Sequence, residues 1–226
     1  MPVMDRIPEP ELMDGVEQAA AYAAADFADA NSLFVDLVRR CFPHHSPRHI
    51  IDLGCGPGDI LVRLAREWPE AGVTGVDGAD AMLAHARTAV ADAGIGARTL
   101  LLSERLQALS LSHRFDTIVS NSLLHHLADP DLLWRRIQDL GSTGAAVLVM
   151  DLVRPDDEAQ ARVWVRRYAE GAPEVLRQDF YHSLRAAYRP EEIRHQLRRA
   201  GLGHFIVERA SDRHIAIYGR LAGEEA

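Results

Sequence analysis

The chain has 226 residues, 25 Lys+Arg against 33 Asp+Glu and a net charge of −8, and all 25 basic residues are arginine. With no lysine there is no amine for a Schiff base, a pyridoxal phosphate anchor, a phosphate-loop lysine or a lysine general base. The acidic balance works against a non-specific grip on nucleic acid or an anionic membrane, and 47% hydrophobic with 26% charged residues is a globular composition.

The two cysteines, Cys41 and Cys55, are too few for a disulfide framework or a four-thiolate metal site. The start, Met1-Pro2-Val3-Met4-Asp5-Arg6, lacks the apolar stretch of a signal peptide, and no apolar run has the length of a membrane span. A cytoplasmic protein is expected, a monomer or homodimer acting on a small molecule, without nucleic acid or membrane as partner.

Leu33, Phe34, Leu37, Val38 and Cys41 share one helical face, so the first 40 residues read as one or two helices, ended by Pro43 to Pro47. Short apolar strands are predicted at His49 to Leu53, Val73 to Asp77, Thr99 to Leu102, Phe115 to Ser120 and Ala145 to Asp151. Helices separate them: one carries Leu61, Leu64 and Trp68, the next Met82, Leu83, Ala86 and Val90. Another is started by Asp129-Pro130. This alternation implies βαβ crossovers and a doubly wound, mostly parallel sheet. Residues 152 to 188 break the rhythm with a helical insertion. After Pro190 a helix precedes two strands, Phe205 to Val207 and His214 to Tyr218, which read as a C-terminal antiparallel hairpin. A single α/β domain follows: residues 1–45 as an N-terminal helical lid, 46–151 as the core, 152–189 as a substrate lid, and 190–226 as the final helix and hairpin.

Asp52-Leu53-Gly54-Cys55-Gly56-Pro57-Gly58-Asp59 lies where the first strand meets the first crossover helix. Gly54 and Gly56 permit a tight turn that lets backbone approach a ligand. Asp77, nineteen residues after Gly58, ends the second strand, where a carboxylate can accept the hydroxyls of a ribose. A dinucleotide site wants Gly or Ala at the position of Asp59, whose carboxylate would sit among phosphates at a helix N-terminus. A dehydrogenase is therefore disfavoured.

With Val76-Asp77 and Met82-Leu83, this loop resembles that of the class I S-adenosylmethionine-dependent methyltransferases over roughly residues 48 to 151. The resemblance implies S-adenosyl-L-methionine as cofactor and a seven-stranded Rossmann-like sheet. It also implies that Asp52, Gly54, Cys55 and Gly56 line the methionine part, that Asp77 holds the ribose, and that Gly78 and Met82 flank ribose and adenine. After the third strand the family often has an acidic residue facing the adenine amine; here Glu104 is the candidate and Ser103 the alternative.

Asn121 leaves the carboxyl end of the fourth strand, where ligands bind in such sheets. It is followed by Ser122-Leu123 rather than by the two prolines and aromatic of amino-methylating DNA enzymes, which points to the small-molecule branch. His125 and His126 follow. Neighbouring residues do not share a helix face, so at most one is expected to point at substrate, with His126 favoured as a proton acceptor. A metal reading of this pair with His44-His45 lacks the i, i+3 or i, i+4 spacing of metal-binding helices, so no metal is expected. In the insertion, Tyr181 is a further catalytic candidate, and Arg154, Tyr168 and His182 are candidate substrate contacts, the arginines favouring an anionic acceptor.

The expected activity is transfer of a methyl group to an oxygen, nitrogen or carbon of a small molecule, for which in-line positioning and a dry pocket matter more than any triad. The alternatives are an enzyme that modifies S-adenosylmethionine itself, as carboxy-S-adenosylmethionine synthases do, and a non-catalytic protein that binds it.

Overall fold

A computed structural model describes residues 4–10, 12–13 and 15–223; Met1-Pro2-Val3 of the start lies outside them. The strands are β1 (His49–Leu53), β2 (Gly72–Asp77), β3 (Thr99–Ser103), β4 (Phe115–Asn121), β5 (Gly141–Leu152), β6 (Ile206–Arg209) and β7 (His214–Arg220). They form one sheet in the order β3-β2-β1-β4-β5-β7-β6. β1 pairs in parallel with both β2 and β4, so the strand order reverses at its carboxyl end, the position where open α/β sheets leave a ligand crevice. β7 runs antiparallel between β5 and β6.

The helices are α1 (Val16–Ala24), α2 (Ala28–Cys41), α3 (Asp59–Glu67), α4 (Asp80–Asp92), α5 (Asp131–Leu140), α6 (Glu158–Tyr168), α7 (Glu174–Ala186) and α8 (Pro190–Arg199). Two cores cover the sheet faces. Phe34, Leu37, Leu61, Leu64 and Val90 pack on Ile50, Val119 and Leu148 on one side. Trp134, Ile137, Ile193 and Leu197 pack on Ile51, Ile118 and Val147 on the other. Neighbouring strand residues face opposite layers, which is why the central strands read as continuous apolar runs. The start of α5 follows the sequence signal, with Asp129 Oδ1 accepting the Asp131 N–H at 3.1 Å.

β5 is longer than predicted, beginning at Gly141 directly after α5, with a register irregularity opposite Phe115 and Thr117. On α1, Ala19 is fully buried against Ala79 and Met82, and its small side chain lets α1 lie close on α4. Among the described residues no helix is long and apolar enough to cross a membrane.

Candidate active site

A cavity of about 800 Å³ opens at the carboxyl ends of β1, β2 and β4. Its floor is the loop after β1. Gly54 has φ +76°, and a Cβ there would lie 2.9 Å from Leu123 Cδ1, so both the backbone twist and the close approach of the β4 exit require glycine. Gly56, at φ +52°, has nothing within 4 Å of the place a Cβ would take and lines the cavity. Asp77 braces the loop: Oδ2 accepts the Gly56 N–H at 2.8 Å and Oδ1 the Ala79 N–H at 2.9 Å.

Below the loop Asp52 is 1% exposed, and its Oδ1 has no hydrogen-bond partner among the described residues. Burial, reinforced by the Asp77 charge, pushes the Asp52 carboxyl up to about 7. Asn121, on the cavity wall, likewise has an unpaired buried Oδ1. Beyond it Ser122 holds φ +56°, a conformation rare for a residue with a side chain, and its N–H donates to Met150 O at 2.9 Å.

Met82, Gly78, Glu104 and Leu106 line the side below β2 and β3. Cys55 does not line the cavity. Its side chain turns into the core with Leu83, Ala86 and Leu101, so only its backbone belongs to the loop. Asp59, the residue that argued against a dinucleotide, accepts from Asn31 Nδ2 at 2.5 Å and Arg63 Nε at 2.7 Å and thereby ties α2 to α3.

At the far end stands a polar cluster that sequence reading resolved only in part. His125 and His126 lie on a 3-10 turn, not on an α-helix, and both rings reach the cavity, with centroids 4.2 Å apart. The expectation that at most one would do so is corrected. Asp151, at the end of β5, accepts from His125 Nδ1 and, at 3.2 Å, from the His125 backbone N–H. Burial works against charge on both groups, but their mutual attraction prevails, holding the Asp151 carboxyl down and, with Glu9, the His125 imidazole up. Burial and the neighbouring His125 charge lower His126 to about 3, and Asp151 orients His125, not the favoured His126.

Glu9 completes the cluster. The N-terminal segment crosses the lid, with the Met4 N–H donating to Asp156 O and the Ile7 N–H to Arg185 O, both at 3.0 Å. Arg6 adds bonds to Ala186 O at 2.6 Å and His125 O at 3.0 Å. The buried Glu9 carboxyl is raised mainly by desolvation. No motif in the sequence marks Glu9, because its role depends on the path of an extended segment.

The lid is built from α6, α7 and their connection. On α7 the cavity face is Leu176, Asp179, Phe180 and Ser183, which follow helical spacing. Tyr181 and His182 fall off that stripe. Tyr181 OH bonds Glu158 and its ring meets Arg162 and Arg185, while His182 is exposed, so neither lines the cavity. Arg154 is also corrected: 5% exposed, it donates to Ala187 O at 3.2 Å and Glu192 Oε1 at 2.6 Å, joining β5 to the start of α8. Tyr168 does line the cavity. Its hydroxyl bonds Asp212, and Arg213 stacks on its ring with the guanidinium carbon 3.6 Å from the centroid. Arg167 and Arg213, missed as cavity residues, stand on the wall beside it and share Asp212, 3.8 Å and 3.3 Å away, so this corner keeps a net positive charge of one.

The doubly wound seven-stranded sheet, the glycine loop after β1 and the acid ending β2 define the class I, Rossmann-like methyltransferase fold. Comparison with known proteins agrees: residues 50–142 match the family described as "Methyltransferase domain". Trans-aconitate 2-methyltransferase of Mycobacterium sp. (strain KMS) is 32% identical over 153 residues, 67% of this chain and 56% of that protein. The enzyme of the same name from Escherichia coli is 36% identical over 95 residues, 42% of this chain and 35% of that protein. The chain thus spans about a third to just over half the length of these relatives. The crystal structure of a SAM dependent methyltransferase from Aquifex aeolicus superposes with a TM-score of 0.68 at 16% identity, covering 92% of this chain and 99% of that one. Fold and matches identify residues 50–142 as a methyltransferase domain, carried on a sheet of the class I type.

The residues present fit that cofactor. Its amino acid end carries a cation and donors, and the orphaned acceptors are Asn121 on the wall and Asp52, buried beneath the loop and not itself lining the cavity, in place of a phosphate cradle. The open face of Gly56 permits close backbone approach.

Proposed function

We propose that the chain transfers the methyl group of S-adenosylmethionine to a small, carboxylate-bearing acceptor. The observation that carries the cofactor half is the pairing of the Asp77-braced loop with unpaired buried acceptors beneath and beside it. Asp77 would accept the ribose hydroxyls, Asp52, Asn121 and the Gly56 backbone would take the amino acid end, and Met82 and Glu104 would border the adenine. A bound sulfonium supplies an activated methyl group. What remains for the protein is to aim the acceptor and exclude water, the work of α1, α7 and the N-terminal segment.

A cavity of about 800 Å³ holds a cofactor of this size and leaves room for a small acceptor. Arg167 and Arg213 favour a carboxylate by forked hydrogen bonding, in keeping with the acceptor named in the relatives. With no lysine in the chain, cationic recognition falls to guanidinium.

Calorimetry tests the cofactor half: S-adenosylmethionine should bind with micromolar affinity, weakened at least about tenfold in Asp77→Ala by loss of charge-assisted bonds. Tighter binding of NAD overturns it. Release of S-adenosylhomocysteine with a panel of small carboxylic acids, trans-aconitate among them, tests the acceptor half. Arg213→Ala should raise KM for the acid without changing cofactor affinity. Turnover of neutral analogues alone refutes the carboxylate.

A further inference from the structure

The side chains of Glu9, His125 and His126 bring three possible ligand atoms together beside the cavity. Asp151 takes the hydrogen on His125 Nδ1, so Nε2 is the ring atom turned to Glu9, and a cation that displaces the Nε2 proton meets a lone pair there. Nε2 lies 3.3 Å from Glu9 Oε1, and His126 Nδ1 lies 3.2 Å from the same oxygen. The three donor atoms lie within 4.8 Å of one another, on side chains 3% (His125), 9% (Glu9) and 14% (His126) exposed. A proton placed between Nε2 and Oε1 relieves one of these close approaches. A cation at their centre relieves them all.

Two of the three separations match adjacent corners of a coordination tetrahedron. Bonds of about 2.0–2.1 Å in a tetrahedron place adjacent ligands roughly 3.3 Å apart, the separation of Oε1 from both imidazoles. Asp151 stands behind His125 as carboxylates stand behind metal-bound imidazoles, fixing tautomer and ring orientation. Ser183 Oγ, 3.0 Å from Glu9 Oε1, is a further oxygen at the rim. The long His126 Nδ1 to Pro10 O contact, 3.3 Å, is a bond that coordination would replace.

We propose that Glu9, His125 and His126 bind one divalent transition-metal ion of the Zn²⁺ type, with its remaining position open to the cavity. Two imidazoles and a carboxylate without thiolate suit Zn²⁺, Co²⁺ or Fe²⁺ better than Mg²⁺ or Ca²⁺. The helical spacing that spoke against a metal does not govern this site: the histidines sit on a 3-10 turn and the third ligand arrives from the N-terminal segment. Both histidines line the cavity, so the open position admits an oxygen ligand. On the methyl-transfer reading, and only there does the inference rest on it, that oxygen is the acceptor's hydroxyl or carboxylate.

The test uses the full chain, stripped by chelator and titrated with Zn²⁺ and with Co²⁺ in the absence of S-adenosylmethionine. One equivalent should bind, and the Co²⁺ form should show the intense visible bands of a four-coordinate site. Glu9→Gln, nearly isosteric, and His126→Ala should each weaken binding at least about tenfold. His44→Ala, an exposed histidine away from the cavity, should bind as the wild type does. Circular dichroism checks that each variant is folded. No binding of either ion below 100 μM, or stoichiometric binding that survives both substitutions in folded protein, overturns the site. Cofactor affinity is measured separately, so a chain that binds the ion but not S-adenosylmethionine refutes the methyl-transfer reading and leaves the metal site standing.

Discussion

Cofactor affinity should depend on pH through Asp52. In the ligand-free chain burial, aided by Asp77, raises this carboxyl from 3.8 to about 7, so at pH 6 about nine-tenths of it is protonated. A cofactor whose amino acid end is cationic selects the ionised form. If binding requires ionised Asp52, the affinity falls by about fifteenfold between pH 7 and pH 5.5, some 1.6 kcal/mol. Over that range the cofactor's own amino group stays protonated, so the dependence belongs to the protein. Calorimetry in buffers of different ionisation enthalpy reads both the slope and the proton released near pH 7. Asp52→Asn should bind more weakly and lose the slope, and Asp77→Asn should move the midpoint down by removing the second cause of the shift. A wild-type slope equal to that of Asp52→Asn refutes the reasoning. The sign for stability is opposite. The folded chain holds the extra proton between about 3.8 and 7, so this group's contribution is lost as pH rises through that window. Asp52→Asn should therefore raise the Tm of the ligand-free chain at pH 8, by at most about 4 kcal/mol of stability.

Other substitutions separate scaffold from site. His214, 6% exposed on β7, is lowered to about 4 by burial and Arg213, below its ordinary 6.5. The unfolded chain binds the additional proton between these values, so stability falls as pH drops from about 6.5 to 4, by about 3 kcal/mol. Urea denaturation at several pH values should show this component absent in His214→Gln. Arg154→Ala, which removes the buried guanidinium from Glu192 and the Ala187 carbonyl, should cost about 1–3 kcal/mol of stability yet leave cofactor affinity unchanged. Weaker cofactor binding with intact stability would instead return Arg154 to the site.

The sheet was legible because its signals are local. Apolar runs such as His49 to Leu53, the Asp129-Pro130 helix start and the glycines after β1 each act within a few residues, and βαβ chirality then leaves few topologies. Gly54, Gly56 and Asp77 were legible for the same reason: a tight turn and a strand end have residue signatures. The lid was not. Tyr181 and His182 look as chemically able as Phe180 and Ser183, and only the rotation of α7 about its axis decides which pair meets the cavity. Arg154 looked like an anion contact until its burial beside Glu192 gave it a structural partner.

The sequence by itself determined the architecture, the glycine turn after β1 and the absence of any lysine, since these depend on residue type and spacing along the chain. The tertiary structure alone decided that Glu9 closes over the histidine pair, that Asp151 orients His125, and that the cationic corner is Arg167 and Arg213. Those outcomes depend on how distant segments pack, and the free energy of burying a carboxylate against an imidazole is set by partners that lie far apart in the chain.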